Sequence, residues 1–480
     1  MPDHPPRLDD RSFRLLIVGT GLCWSVAFVV IALFYQLELY GDGAMFSYAV
    51  AVRDVWAFHW HNISGRTSVF LLTLLPAETL VQITGNPWAG IFAYGFLFYV
   101  SPLVGLALTY AADHSRDHVV FTYACGSTAL LCPLIFGFPT EMWLAHAIFW
   151  PTLALSHYAK PTAAGAMLVF AAWLLLAFTH EGALVLLLTV QATLAPRGLR
   201  NTAFLRAMIN LIIVFVLATV SKIIIPADAY YADAFLRAAL HFFDVGIFEV
   251  EVVLLLLAAV IAYAAILMLF SVWLPKRACM CALGFLLGLL FIYWLRFDHS
   301  VHASSRYYLR TAMVIVTPLF GLMAAYAAMT KEGIALDRFV SLQHALISPS
   351  SRTLCAVASL FVVVTSIHAV ETRKFVTAWT NYRSAIVALS TGSEADPALG
   401  NPKFVSSQRI PPALAPLSWF STIPYLSIIL SNFSPSRLVI DPDGNYFWLS
   451  CSTATKSRDA ELVVPVQTRE LVRIYSCLHR

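Results

Sequence analysis

Apolar runs of about twenty residues recur along most of this chain, and that repetition leaves few folds open to it. They lie near 13–36, 66–84, 89–112, 118–137, 142–158, 162–179, 182–196, 203–226, 248–275, 277–296, 307–330 and 353–370, twelve in all. Each matches the thickness of a bilayer's hydrocarbon core, where a helix can satisfy its own backbone without water. Of the 480 residues, 59% are hydrophobic and 12% charged, against roughly a quarter charged in soluble domains. The expected class is an all-α polytopic membrane protein with the lipid bilayer as its constant partner. The net charge of +4 is small and its Lys and Arg sit in short connectors, so the composition offers nothing to nucleic acid. The first run has a basic front, "PPRLDDRSFRLL", but no small-residue cleavage site behind it, and reads as a retained span.

Lys and Arg in short loops mark the cytoplasmic side. Arg7, Arg11 and Arg14, then Arg197, Arg200 and Arg206, then Lys276 and Arg277, then Lys331, Arg338 and Arg352 all ask for that side, and Arg116 and Lys160 agree. If all twelve runs crossed, the N-terminus would lie outside, against its own arginines. One run must not cross. The weakest is 66–85, where Pro76 falls halfway and Glu78 would sit near mid-bilayer at high cost. Read as interfacial or re-entrant, it leaves about eleven spans. The N-terminus is then cytoplasmic in a plasma (inner) membrane, and 37–88 forms one external loop lying on the membrane. Within it Met45, Tyr48, Ala49, Val52 and Trp56 recur at helical spacing opposite Ser47, Arg53 and Asp54, an expected amphipathic surface helix.

Region 371–480 changes character, with prolines in "RIPPALAPLSW", the turn "DPDG" and β-like runs "RLVI", "YFWL" and "ELVVPV". A small extracytoplasmic α+β domain is expected there, periplasmic if the cell is bacterial, after a transmembrane domain spanning 1–370. Six cysteines lie in or beside apolar runs and read as packing; Cys451 and Cys477 lie in the polar C-terminal region and are a candidate disulfide.

Under this topology one side collects the unusual ionisable groups: Asp42 and Arg66, Glu141, His180 and Glu181, then Asp298, His299, His302, Arg306 and Arg310. Each has a plain reading. Asp42 suits a helix start; Glu141 suits an ordinary loop; His180 and Glu181 suit a solvated turn; His59 and His61 suit an interface; Arg306 and Arg310 suit snorkelling anchors. Against the last, cations on the outer side break the usual charge rule, and a pair four residues apart asks for an anion. Arginine's planar fork matches phosphate oxygens. A carboxylate base with a phosphate leaving group at a membrane face suits a lipid phosphate-linked sugar, whose acceptor hydroxyl needs a base to take its proton.

At this point the sequence resembles the GT-C superfamily of integral-membrane glycosyltransferases, which contains protein O-mannosyltransferases and the aminoarabinose transferase of lipid A. "GDGAMFSYAVAVRD" looks like the acidic first-loop motif, and "GRTSVFLLTLLPAETL" like the Pro-containing segment after it. "GFPTEMWLAHAIFWPTLALSHYA" resembles the second outer acidic site, with Glu141 where Asp is commoner. "AAWLLLAFTHEGALVLL" looks like the paired short helices, with His180 and Glu181 where a Lys is often found. "SSRYYLRTAMVIVTPLFGLMAAYAA" resembles the late Arg-Tyr motif. The resemblance implies inverting transfer from a polyprenyl-phosphate sugar to a cell-envelope acceptor. Asp42 would then be the catalytic base, Glu141 the second acidic site, and Arg306, with Arg310 and His302, the donor-phosphate group. Arg66, His180, Glu181 and His299 are candidates to line the cavity. No cofactor follows from the residues; "GDG" lacks the second acid that many members place directly after the first, so a divalent metal stays an open question. Two other classes remain open: a transporter or flippase of an amphipathic anion, and a membrane acyltransferase using His299 or His302.

Overall fold

With no water to take its N–H and C=O groups, an apolar run closes its hydrogen bonds on itself, and every run named above carries a helix. The computed structural model describes residues 10–52, 66–131, 140–224, 251–298, 308–334, 350–392, 404–419, 422–441, 446–447 and 462–463. In chain order the helices are α1 (Asp10–Phe34), α2 (Asp42–Val52), α3 (Arg66–Thr84), α4 (Pro87–Tyr99), α5 (Ser101–Ala112), α6 (Val119–Leu131) and α7 (Met142–Tyr158). There follow α8 (Ala163–Ala177), α9 (Ala183–Leu194), α10 (Thr202–Ile224), α11 (Glu251–Trp273), α12 (Ala278–Arg296), α13 (Tyr308–Lys331) and α14 (Ser351–Thr391). Strand β1 (Phe404–Ser406), α15 (Ile423–Leu430), β2 (Leu438–Ile440), β3 (Tyr446–Phe447) and β4 (Leu462–Val463) complete the described chain. Among the described residues, 7 helices are long and apolar enough to cross a membrane, or 8 if α4 and α5, bent by 43°, count as one. The outward faces suit lipid: Phe215 on α10 is 59% exposed, Val272 on α11 79% and Phe291 on α12 64%, a pattern water would penalise.

Charged pairs gather at one end of the bundle. Asp117, in the turn after α5, meets Arg14 of α1 at 3.4 Å and Lys331 of α13 at 3.2 Å. Glu332 accepts from Tyr158 at 2.7 Å and Arg197 at 3.2 Å. The basic connectors of Arg14, Arg197 and Lys331, grouped by charge in the sequence, therefore meet in space. The hydrogen bond from Lys331, with Arg14 behind it, holds the Asp117 carboxyl below its ordinary range although burial opposes this. A depressed acid stabilises above its unfolded pKa, and that contribution is lost as pH falls through the folded one. Because the pairs are half-exposed, Asp117→Asn should cost under about 1 kcal/mol at neutral pH. Thermal unfolding in detergent should show the difference from wild type vanishing in acid.

Two elements correct the sequence expectations. Helix α2 is not an amphipathic surface helix: Gly43 to Ala51 are all buried, Ser47 included. Ser47 Oγ donates to the Glu38 carbonyl at 3.2 Å. Ser47, expected on a polar face, instead lies inside the fold, and Tyr48 packs on Tyr425 of α15 at 5.3 Å. Arg53, Asp54, Trp56, His59 and His61 lie outside the described residues. Second, α14 runs unbroken through residue 370, so the boundary drawn there falls inside a helix of 41 residues. At 1.5 Å per residue it is roughly 60 Å long, about twice a hydrocarbon core.

Pro76, expected to interrupt α3, does not. A π-helical turn over Phe70–Leu74 precedes it, and Pro76 falls in the first turn of the α-segment that follows. The wider turn relieves the clash a proline makes with the carbonyl one turn back. Glu78 is 3% exposed and faces protein rather than lipid. Both ends of α3 lie in the half of the bundle away from Asp117. Ser68 N–H donates to Phe178 O in the turn between α8 and α9. Phe70 and Leu74 share a cavity with Tyr94 and Phe98, while Val81 lies against Gly90. Helix α3 is thus antiparallel to α4, which leads through α5 to the Asp117 end, and α3 never reaches that end.

The C-terminal runs read as β-like each contain a strand; Phe404–Ser406 was not among them. Strands β1 and β2 pair in parallel, Phe404 with Leu438 and Ser406 with Ile440; β3 and β4 pair antiparallel. Trp88 Nε1 donates to Asn432 at 2.9 Å, tying α4 to the end of α15.

Candidate active site

Four separate pieces of chain meet at the end opposite Asp117. Gly41, at φ +59°, makes the turn that sets Asp42 at the start of α2; a left-handed residue there favours glycine. Arg66 opens α3, Glu141 directly precedes α7, and His180 and Glu181 form the turn between α8 and α9. That turn is stiffened by Gly182 N–H donating to His180 Nδ1 at 3.0 Å.

Arg66 is the hub. Its Nη1 donates to Glu141 Oε1, and its Nη2 lies 3.7 Å from Glu181 Oε2. Glu181 Oε2 is 3.8 Å from His180 Nε2. The charge of Asp42 also acts on Arg66, alongside those of Glu141 and Glu181. The side chains of Arg66, Glu141, His180 and Glu181 are only 8–15% exposed. Two carboxylates thus meet one guanidinium, with the charge of Asp42 acting on it as well, in a site largely shielded from water, where such pairs are strongly coupled. Arg66, expected to line a cavity, does line one and also holds Glu141 and Glu181 together.

Three further groups belong to this end and were missed from the sequence. Tyr94 of α4 lines a small cavity with Arg66 and Glu141, and the charges of Glu141, Asp42 and Glu38 act on it. It hides in "IFAYGFLFY", where one more aromatic draws no notice. Glu38, in the turn Leu37–Leu39, is buried four residues before Asp42. Lys222, near the end of α10, lies in a groove of about 820 Å³ with His180 and Glu181. Its signal was available: it is a cation at the end of a long apolar run, the feature used for Arg306 and Arg310. Apart from Thr219 the rest of the groove is apolar, with Leu184, Leu187, Val214 and Phe215 among its walls. His180 and Glu181 belong to both the groove and the Arg66 cluster.

Asp298, after α12, accepts from Lys374 of α14 at 2.8 Å, and Lys374 also meets Glu371 at 3.2 Å. Arg310 lies in the first turn of α13. His299, His302, Arg306, Cys451 and Cys477 lie outside the described residues. Among the described residues no group of three or more His, Cys, Asp or Glu is arranged to hold a metal ion. No family model matches the chain, and no curated protein matches its sequence.

Proposed function

We propose that this protein is an inverting glycosyltransferase that moves a sugar from a polyprenyl-phosphate donor to a cell-envelope acceptor. One observation carries the reading: Arg66, Glu141 and Glu181, from three chain segments, meet where the charge of Asp42 also acts on Arg66, beside a groove that is mostly apolar along its walls and charged at its head. A lipid-linked anionic donor needs both parts. Its chain lies in the groove and its phosphate meets Lys222, with Arg306 as the further cation.

In the proposed step the acceptor hydroxyl gives its proton to the Asp42 carboxylate as its oxygen attacks the anomeric carbon. The bond from that carbon to the phosphate oxygen breaks, and the electron pair leaves with the phosphate. Attack opposite the leaving group inverts the centre, and no covalent enzyme intermediate is needed. Glu141 and Glu181, held by Arg66, fix the walls around Asp42. The positive-inside rule then assigns the Asp117 end to the cytoplasm and the site to the outer face. With α3 confined to the outer half, the topology has about eleven spans, and the C-terminal segment lies outside as an α+β domain.

A lipid-open groove with a charged head also suits a transporter of an amphipathic anion. Mass spectrometry of envelope lipids and polysaccharides, with and without the gene, separates the two. A glycan mass missing from the deletion strain, restored by the gene, is the expected result and names sugar and acceptor together. An unaltered envelope, with vesicles that accumulate a labelled lipid phosphate and form no product, would overturn transfer in favour of transport.

A further inference from the structure

A single crossing needs about 20 residues, so the 41 residues of α14 leave its second half for other work. That half grips the turn that delivers Asp42. Helix α1 ends at Phe34, and the last carbonyls of a helix have no partner inside it. Trp379 Nε1 donates to the carbonyl of Tyr35 at 2.9 Å. Arg383, one turn further along α14, donates to Gln36 Oε1 and sets its guanidinium 5.7 Å from the Trp379 ring centre. Gln36 has φ +54°, a left-handed conformation that is unfavourable for a residue with a side chain and persists where its surroundings impose it. Four residues on, Tyr40 is fully buried. Its ring meets Phe375 at 4.9 Å, Trp379 at 5.3 Å and Trp419 at 6.4 Å, each edge-on. Left-handed Gly41 then leads into α2. Between these two left-handed residues the turn closes on itself. Leu39 N–H donates to Gln36 O at 3.1 Å, Tyr40 N–H to Leu37 O at 3.0 Å, and Gly43 N–H to Tyr40 O at 3.1 Å. Residues 37–41 are buried, and Asp42 behind them is half-buried.

We infer that Trp379 and Arg383 are positioning residues for Asp42: they fix the turn 35–41 from the outside, and the turn sets the carboxylate where the acceptor hydroxyl must meet it. This rests on the role proposed above for Asp42 as the base. The groove with Lys222 is built by α8, α9, α10 and the turn between the first two, so the hold of α14 acts on the chemical step and not on donor binding. A reacting group misplaced by about 1 Å loses about 10²-fold in rate, which is why a base at the end of a turn needs the turn held.

The test uses the full-length protein in detergent or liposomes, with a radiolabelled polyprenyl-phosphate sugar and isolated envelope as acceptor. Trp379→Phe keeps a ring beside Tyr40 and removes the N–H; Arg383→Met keeps the stem and removes the donor to Gln36. Each should lower kcat by about tenfold with KM for the donor held, and the double variant by about a hundredfold. In the Asp42→Asn background the same substitutions should cost a factor of about 1, because a misplaced base that is already absent cannot be lost twice. A merely structural defect would lower the rate by the same factor in both backgrounds. Hydrogen–deuterium exchange on the same samples reads the hold without the reaction. Amides of 35–44 should exchange about tenfold faster in the double variant, with those of α7 and α9 unchanged. If wild type transfers no sugar but exchange rises in this way, the reaction assigned above fails and the hold of α14 on the turn stands. The inference is overturned if exchange at 35–44 is unmoved in the double variant, if the variants transfer at the wild-type rate, or if their loss is the same in the Asp42→Asn background.

Discussion

Asp42→Asn should lower sugar transfer by about a thousandfold and leave the protein folded. A positioned base contributes roughly 10²–10⁴ to such a step, and an amide cannot accept the proton at neutral pH. The substitution is chosen because Asn starts a helix as well as Asp does, so α2 and its buried packing survive. It thereby separates the two roles open to Asp42. A residue that only caps α2 keeps full turnover as Asn; a base does not. The measurement is initial transfer rate in membranes, with the thermal unfolding midpoint taken on the same preparation. Full turnover with an unchanged midpoint would remove Asp42 from the chemistry.

The second large effect is expected at Arg66, and it is structural as well as functional. Arg66→Met leaves Glu141 and Glu181 without the cation between them and removes the charge that acts on Asp42. Breaking a buried ion pair from one side costs about 3–5 kcal/mol, because the remaining charges stay desolvated and repel one another. The variant should unfold at markedly lower temperature in detergent and lose transfer. Adding Glu141→Gln to Arg66→Met removes one of the stranded charges and should recover a good part of the stability, though not the activity. Arg66→Lys should fall between, since an ammonium keeps the charge but loses the fork that reaches two carboxylates. A double variant no more stable than Arg66→Met would show that the acids are not coupled through Arg66.

Much of the candidate site was legible because bilayers impose a strict grammar. Ionisable residues at the ends of spans are costly or conspicuous, so Asp42, Arg66, Glu141, His180 and Glu181 stood out one by one. Counting crossings from the basic loops put them on one side. Charge sign did not reveal their arrangement: Arg66 read as a cavity residue and is a hub for acids. Tyr94 and Glu38 escaped notice because neither breaks a pattern in its own segment. Tyrosine is ordinary among aromatics, and a glutamate just beyond a span looks solvated until α4 is packed against it. Lys222 obeyed the same rule as Arg306 and Arg310 and was overlooked at the far end of a long apolar run.

The sequence by itself determined that the chain is helical, that its helices suit a membrane, and which loops share an end. Those follow from run length and from the placement of Lys and Arg, both local properties. Only the tertiary structure decided that α2 is buried on every side, that α3 returns toward the start of α4, and that α14 continues past residue 370. It also decided which acids face Arg66. The physical reason is that a bilayer fixes how deep a residue lies, whereas its neighbours at that depth depend on how helices far apart in sequence pack.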